Sequence, residues 1–256
     1  MEQLQNRHDL TDAQWNRIEP IIKQHLNKRG GSNANDNRVF VNACLWIVRT
    51  GSPWRDLPPQ YGKFNALHRR YKRWCDNHIW EYILAELITE PDYEWLMIDA
   101  SHCKVPPHAC GAKGGNEAIG RTKGGFNTKI HLAVDAHGMP LRTLVTEGTR
   151  ADCKMAIELI EGMPVEHLMA DRAYDTNALV EYLHQQEAQA VIPPKRNRTT
   201  KREYDKALYE YRHLVENTFL KLKQFRGIAT RYAKSVSCFV GAIHLASIVL
   251  WLRCLV

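Results

Sequence analysis

Three acids far apart in this sequence, Asp99, Asp171 and Glu216, occupy positions from which carboxylates can do metal chemistry. Asp99 closes the apolar run Trp95-Leu-Met-Ile-Asp99, and Asp171 closes a second, His167-Leu-Met-Ala-Asp171. Both runs read as short buried strands. If those strands are neighbours, their C-terminal ends bring both aspartates to one sheet edge, where ligand sites of α/β sheets lie. Glu216 belongs to the stretch Tyr209–Lys223. At 100° per residue, Arg212, Lys223, Glu216 and Tyr209 share an arc of about 60° on one helix. Leu208, Tyr211, Val215, Phe219, Leu222 and Phe225 form the core-facing stripe beside it. Three converging carboxylates cannot all stay ionised without cations. Hard oxygen donors with no His/Cys cluster favour Mg²⁺ or Mn²⁺ over Zn²⁺. Two such ions about 3.5–4 Å apart clamp the attacking and leaving oxygens of an in-line phosphoryl displacement. The plainer alternative is an intrahelical Arg212–Glu216 pair worth about 0.2–0.5 kcal/mol.

Charge is distributed unevenly. The chain carries a formal net charge of +7, and residues 195–234 alone account for +8. That excess surrounds the Glu216 helix and points to a polyanionic partner. A hydrophobic content of 44% and a charged content of 25% exclude the disordered and fibrous classes. The seven cysteines contain no C-x-x-C pair and no signal peptide precedes them, so a reducing cytoplasm is expected. Phe239–Leu252 is the most apolar run but is short for a bilayer and is interrupted by His244, so a buried helix is expected rather than a membrane anchor.

Several elements must position the acids. Thr11 with Gln14 signals a capping box, followed by Trp15, Ile18, Ile22 and Leu26 at helical spacing. Lys28–Asn37 reads as a polar loop, Arg38–Arg49 as a second helix, and Gly51–Pro58 as a rigid turn. A third helix over Asn65–Asp76 turns Leu67, Tyr71 and Trp74 inward and Arg69, Arg70, Lys72 and Arg73 outward. Three short helices, the last one basic, fit either a helix-turn-helix DNA reader or a plain bundle with a solvated face.

Beyond the linker Pro91–Tyr93 the texture changes. Lys129–Asp135 and Leu141–Thr146 flank a turn and predict a hairpin. Ala151–Glu161 and Thr176–Gln186 read as helices, Ala190–Ile192 as a strand, and Pro193–Arg202 as a basic loop. The expected fold is therefore α/β with a mixed sheet and flanking helices, preceded by a small all-α, helix-turn-helix-like domain. The expected division is residues 1–90 and 91–256.

Other constellations carry weaker signals. Gly115–Thr122 comes within one residue of a P-loop, but Arg121 stands where Lys is required and no strand leads into it. The loop Gly111–Asn127 carries Lys113, Arg121 and Lys123, which are able to close on DNA. His102, Cys103, His108 and Cys110 match no common zinc spacing. Asp135 fits hairpin-turn chemistry, and Asp152 and Asp175 read as helix caps.

The order Asp99, Asp171, Glu216, with Tyr209-x2-Arg212-x3-Glu216-x6-Lys223, resembles the Tyr-Arg-Glu-Lys signature of bacterial insertion-sequence DDE transposases. Leu10-Thr-Asp-x-Gln-Trp15, Pro53-Trp-Arg-Asp-Leu-Pro58, Gly124-Gly-x-x-Thr-Lys-Ile-His131 and Ala170-Asp-x-Ala-Tyr-Asp175 extend the likeness to the insertion-sequence 5 family. So do Val191-Ile-Pro-Pro194, Lys223-Gln-Phe-Arg226 and Ala229-Thr-Arg-Tyr232. The resemblance implies a ribonuclease H-like core with Asp99, Asp171 and Glu216 as the catalytic, metal-binding triad and two Mg²⁺ or Mn²⁺ ions as cofactor. It implies that Tyr209, Arg212 and Lys223 act near transposon-end DNA, and it brings Lys129 and His131 into stretches that match the family. The expected DNA-binding set is Tyr209, Arg212, Lys223, Lys129, His131, Arg69, Arg70 and Arg73. The expected partners are double-stranded DNA, as transposon ends and as target, and a second copy of the chain, with no membrane. Two other readings stay open at this point, a non-catalytic DNA-binding regulator and a metal-dependent nuclease of the same fold.

Overall fold

The computed structural model describes residues 8–26, 36–111, 117–199 and 201–254. Most of the predicted loop Lys28–Asn37, and residues 112–116 of the glycine-rich loop, lie outside that set. The chain forms two compact units, Met1–Thr89 with Leu222–Val256, and Glu90–Lys221.

In the helical unit, α1 (Asp12–His25) begins at the predicted capping box. Thr11 Oγ1 accepts from Gln14 N at 3.2 Å, and the Gln14 side chain accepts from Thr11 N at 3.1 Å. Trp15, Ile18 and Ile22 are buried. Helix α2 (Asn37–Thr50) is capped by Asp36 and stops at Gly51, whose φ of +67° is the left-handed conformation that ends helices. Helix α3 (Phe64–Asp76) buries Leu67, Tyr71 and Trp74 as expected. A fourth helix, α4 (Ile79–Leu87), was not anticipated, although Trp80, Ile83, Leu84 and Leu87 carry the i, i+3, i+4, i+7 apolar pattern and are all buried. Residues 51–63, with two 3₁₀ turns at Trp54–Asp56 and Pro59–Tyr61, join α2 to α3. That connection is far longer than the three- or four-residue turn of a compact helix-turn-helix.

The second unit starts where the texture of the chain changes, and the last stretch of the chain packs with the first unit. After a short α9 (Arg226–Ala229), helix α10 (Val236–Cys254) returns to the helical unit. It is apolar on every side, and such a helix is stable only where neighbours surround it. Helices α3 and α4 supply those neighbours: Tyr71 Oη donates to the Cys238 carbonyl at 2.7 Å, and a Cβ on Gly241 would stand 2.4 Å from Cys75 Sγ. By length and composition α10 is able to cross a membrane, but 78% of that span is buried inside the protein. All seven cysteines are free thiols.

The second unit holds a six-stranded mixed sheet. Strand β1 (Trp95–Lys104) pairs antiparallel with β3 (Gly125–Val134), which pairs antiparallel with both β2 (Gly120–Thr122) and β4 (Pro140–Glu147). On its other side β1 pairs parallel with β5 (His167–Met169), and β5 with β6 (Gln189–Val191). Three antiparallel strands followed by parallel ones give the ribonuclease H-like order. The predicted hairpin is β3–β4, and Asp135 closes it by accepting from His137 N at 3.0 Å and Met139 N at 2.7 Å. Part of the predicted glycine-rich loop is β2 and the start of β3, so it is sheet rather than an open loop.

One face of the sheet is covered by α5 (Ala156–Ile160) and α6 (Asn177–Gln185), whose Leu159, Ile160, Leu179 and Leu183 pack on Leu96, Ile98, Ala133 and Leu168. Odd-numbered residues of β1 face the other way, because side chains alternate along a strand.

Candidate active site

Parallel pairing levels the two aspartates. Met97 of β1 lies opposite Met169, the last residue of β5. Two residues further on come Asp99, still within β1, and Asp171, two residues beyond the end of β5. The expected chain of events differs in one respect: β1 does not end at Asp99 but continues to Lys104 against β3. It is β5 that stops, so the sheet opens on that side only. Asp171 turns the chain into a 3₁₀ segment, Arg172–Tyr174, by accepting from Ala173 N at 2.7 Å.

The Glu216 segment is not one straight helix. It comprises α7 (Lys206–Tyr209), a 3₁₀ step at Glu210–Arg212, and α8 (His213–Lys223). The tighter 3₁₀ winding rotates residues before His213 away from the uniform 100° wheel. Val215, Phe219, Leu222 and Phe225 are buried as expected. Tyr211, expected in the core stripe, is 45% exposed and lays its ring against Trp95, with centroids 4.8 Å apart. Thr218 Oγ1 donates to the Gly138 carbonyl at 2.5 Å and fixes α8 to the β3–β4 turn.

This anchoring carries Arg212 to both a strand acid and a helix acid. Its guanidinium donates to Asp99 Oδ2 at 3.4 Å and also pairs with Glu216 Oε1. Its Cζ lies 5.9 Å from the centroid of the Tyr209 ring. Burial pushes the Asp99 carboxyl above its ordinary value; Asp171 and Glu216 push the same way, and the Ala100 N–H and Arg212 pull against them. Burial works against the Arg212 charge, but Glu216 and Asp99 outweigh it and hold the guanidinium above its usual value. The three acids therefore share one electrostatic field, with Arg212 as its internal cation.

Among the described residues, no three His, Cys, Asp or Glu side chains close into a metal-ligand cluster. The predicted cage is thus not formed as the side chains stand, because the Arg212 guanidinium occupies two of the three carboxylates. The donor set still fits a hard divalent cation: it is all carboxylate oxygen, and Asp171 and Glu216 add to burial in raising the proton affinity of Asp99.

Other predicted site residues are distributed unequally. Lys129 and His131 pair with His102 and Ala100 across β1 and β3, so they occupy the sheet face opposite Asp99. Lys129, 7% exposed, donates to the Arg150 carbonyl and pairs with Asp152 Oδ1, each at 2.7 Å. Asp152 is therefore the counterion of Lys129 rather than a cap. His131 is fully buried with its Nε2 2.9 Å from Thr146 Oγ1, and burial lowers its pKa to about 4. Neither side chain is presented to a duplex. Arg70 also departs from expectation: it stacks 4.1 Å from the Phe40 ring centroid and hydrogen-bonds Asn37. Arg69 and Arg73 are exposed on α3, and Lys223 is half-buried at the last residue of α8. His102 and His108 are exposed and Cys103 is buried.

Two residues near Asp171 have surroundings that their place in the sequence does not give. Tyr174 is 1% exposed and, among the described residues, its hydroxyl has no hydrogen-bond partner, while the acids Asp99, Asp152 and Asp171 add to burial in raising its pKa. Asp175 does not cap α6, because Thr176 does, accepting from Leu179 N at 3.3 Å. Asp175 instead binds Arg198 Nε and Arg202 Nη2, each at 2.5 Å. The signal was present: Thr176 is the better-placed cap, and a basic loop followed.

Comparison with known proteins decides the family. The family described as "Transposase DDE domain" matches residues 90–252. The chain belongs to the DDE transposases. A second family, described as "Putative transposase of IS4/5 family", matches residues 10–84 of this transposase. It is 41% identical over 130 residues to the "Putative transposase for insertion sequence element IS6501" of Brucella ovis, covering half of this chain and all of that one. It is 38% identical over 127 residues to "Uncharacterized protein y4sN" of Sinorhizobium fredii, covering 50% of this chain and 95% of the relative. The fold is similar to that of a piggyBac transposase in a synaptic complex with hairpin DNA, with a TM-score of 0.53 at 12% identity over 97% of this chain and 75% of that one. As a DDE transposase the chain is a polynucleotidyl transferase, and its domain family works with divalent metal ions.

Proposed function

We propose that this transposase cuts DNA at the terminal inverted repeats of its element and joins the freed 3′ end to target DNA at one acid site. The observation that carries this reading is the level pair Asp99–Asp171 with Glu216 tied to Asp99 through Arg212. Asp99, Asp171 and Glu216 would hold two Mg²⁺ or Mn²⁺ ions, which supply an activated water and charge neutralisation for phosphoryl transfer. Arg212 holds Asp99 and Glu216 together before the ions arrive, then serves the strand being cut. Tyr209 stands beside Arg212 and lines the same approach. Lys223, Arg69 and Arg73 contact phosphates of the end DNA, and two copies of the chain pair the two ends.

The test uses purified chain, labelled end DNA, plasmid target and Mg²⁺. Wild type is expected to give joined products. Glu216→Gln is expected to keep end binding and to lose strand cleavage by at least about a hundredfold, the scale of removing one preorganised charge-stabilising group. Cleavage at the wild-type rate in that variant would sink the triad assignment.

A further inference from the structure

The basic stretch after β6 is the most concentrated positive charge not yet given a task. Strands β1, β5 and β6 are parallel, so the chain leaves β6 at the same sheet edge on which Asp99 and Asp171 stand. It passes through buried Ile192 and Pro193 into a turn, Lys195–Arg198, closed by Arg198 N donating to the Lys195 carbonyl at 3.1 Å. The turn is built on one carboxylate. Asp175, whose side chain is fully buried, accepts from Lys195 N at 2.8 Å, from Arg198 Nε at 2.5 Å and from Arg202 Nη2 at 2.5 Å. Arg198 Nη1 reaches on to Asn177 Oδ1 at 2.8 Å.

A buried carboxylate needs one counter-cation, and here two arginines converge on it. Both keep part of their side chains in solvent, 21% for Arg198 and 25% for Arg202. Arg196 and Asn197 form the exposed tip. Among the described residues neither Lys195 nor Arg196 has an acidic partner. The network thus fixes the backbone of the turn and leaves a net positive surface. Asp171 and Asp175 flank a single 3₁₀ turn, in which Asp171 accepts from Tyr174 N at 3.1 Å and Asp175 N donates to Arg172 at 3.2 Å. At about 2 Å rise per residue, the acid and the base of the turn are roughly 8 Å apart along one rigid segment. That is on the order of two steps of duplex axis, at 3.4 Å each.

Resting on the transposase reading above, we propose that the turn Lys195–Arg198, with Arg202, is a preformed clamp for the phosphodiester backbone of the strand being cut, and that Asp175 is its positioning residue. A clamp and a diffuse basic patch differ in sign for one substitution. Asp175→Asn makes the protein more positive, so a diffuse patch would bind DNA more tightly. A clamp loses its geometry and binds more weakly.

The experiment measures the affinity of the full chain for a labelled end duplex across a salt series, together with cleavage in Mg²⁺ and thermal melting. Arg196→Ala is expected to melt like wild type, to reduce the salt slope by about one unit, and to slow cleavage. Asp175→Asn is expected to weaken end binding about three- to tenfold, in proportion to one or two lost phosphate contacts. An unchanged salt slope for Arg196→Ala overturns the clamp, whether or not Asp175→Asn folds. So does a loss confined to joining into plasmid target with cleavage intact, which would assign the turn to target DNA. If wild type binds and never cuts, yet Arg196→Ala lowers the slope, the clamp stands and the cleavage reading falls.

Discussion

Arg212 donates to Asp99 Oδ2 at 3.4 Å across a sequence separation of 113 residues, while its other nitrogen holds Glu216 one helical turn away. One side chain therefore ties a central strand of the sheet to the helix that crosses it. Arg212→Ala leaves Asp99 and Glu216 without their cation in the metal-free protein. The expected cost is about 1.5–3 kcal/mol of stability, the scale of hydrogen bonds to charged groups. The same variant is expected to gain more from Mg²⁺ than wild type, because the ions then neutralise acids that nothing else neutralises. Calorimetric melting with and without Mg²⁺ reads both effects, and an equal Mg²⁺ increment in both proteins would remove Arg212 from the acid site.

Lys129 and Asp152 form a half-hidden ion pair at 2.7 Å, and removing one partner strands the other. Lys129→Ala is expected to destabilise by about 3 kcal/mol, near the low end for a broken buried pair because Asp152 keeps some solvent. Where that variant folds, its affinity for DNA should match wild type across salt. A stable Lys129→Ala protein with weakened DNA binding would restore Lys129 to the DNA-contacting set.

The cations of α3 separate into two kinds. Arg69→Ala and Arg73→Ala are expected to melt like wild type and to lower the salt slope of end binding by about one unit each. Arg70→Ala removes a guanidinium stacked on Phe40 and Trp74 and should cost about 1–2 kcal/mol of stability. Equal behaviour of all three in denaturant and in salt titration would contradict this division.

His131 gives the fold a pH dependence. Its pKa is lowered to about 4 by burial, against about 6.5 in the unfolded chain. The unfolded state therefore binds the proton first, and stability present above pH 6.5 is lost as pH falls toward 4. The expected loss from this group is roughly 3 kcal/mol, at 1.36 kcal/mol per pKa unit. His131→Gln, which keeps an acceptor or donor for Thr146, should flatten urea-derived stability over that interval. An unaltered pH profile would show that His131 titrates alike in the folded and unfolded chain.

Much of this arrangement is local and was therefore legible in the chain. The Thr11–Gln14 box, the β3–β4 turn at Asp135, the Arg212–Glu216 spacing and the two apolar runs ending in acids all depend on residues within a few positions of one another. The order of the three acids and the signature around Glu216 were enough to point to the family. Tertiary structure alone decided the rest, because alternation and winding assign faces only after pairing is known. The register of β3 on β1 sent Lys129 and His131 to the face away from Asp99. A 3₁₀ step turned Tyr211 outward, and α10, apolar all round, had no face in its sequence to say which neighbours it would find. Asp175 looked like a cap because capping is a short-range rule; only the return of the chain after β6 brought Arg198 and Arg202 to it. A sequence fixes what a residue is able to bind, and the long-range pairing of strands fixes what is there for it to bind.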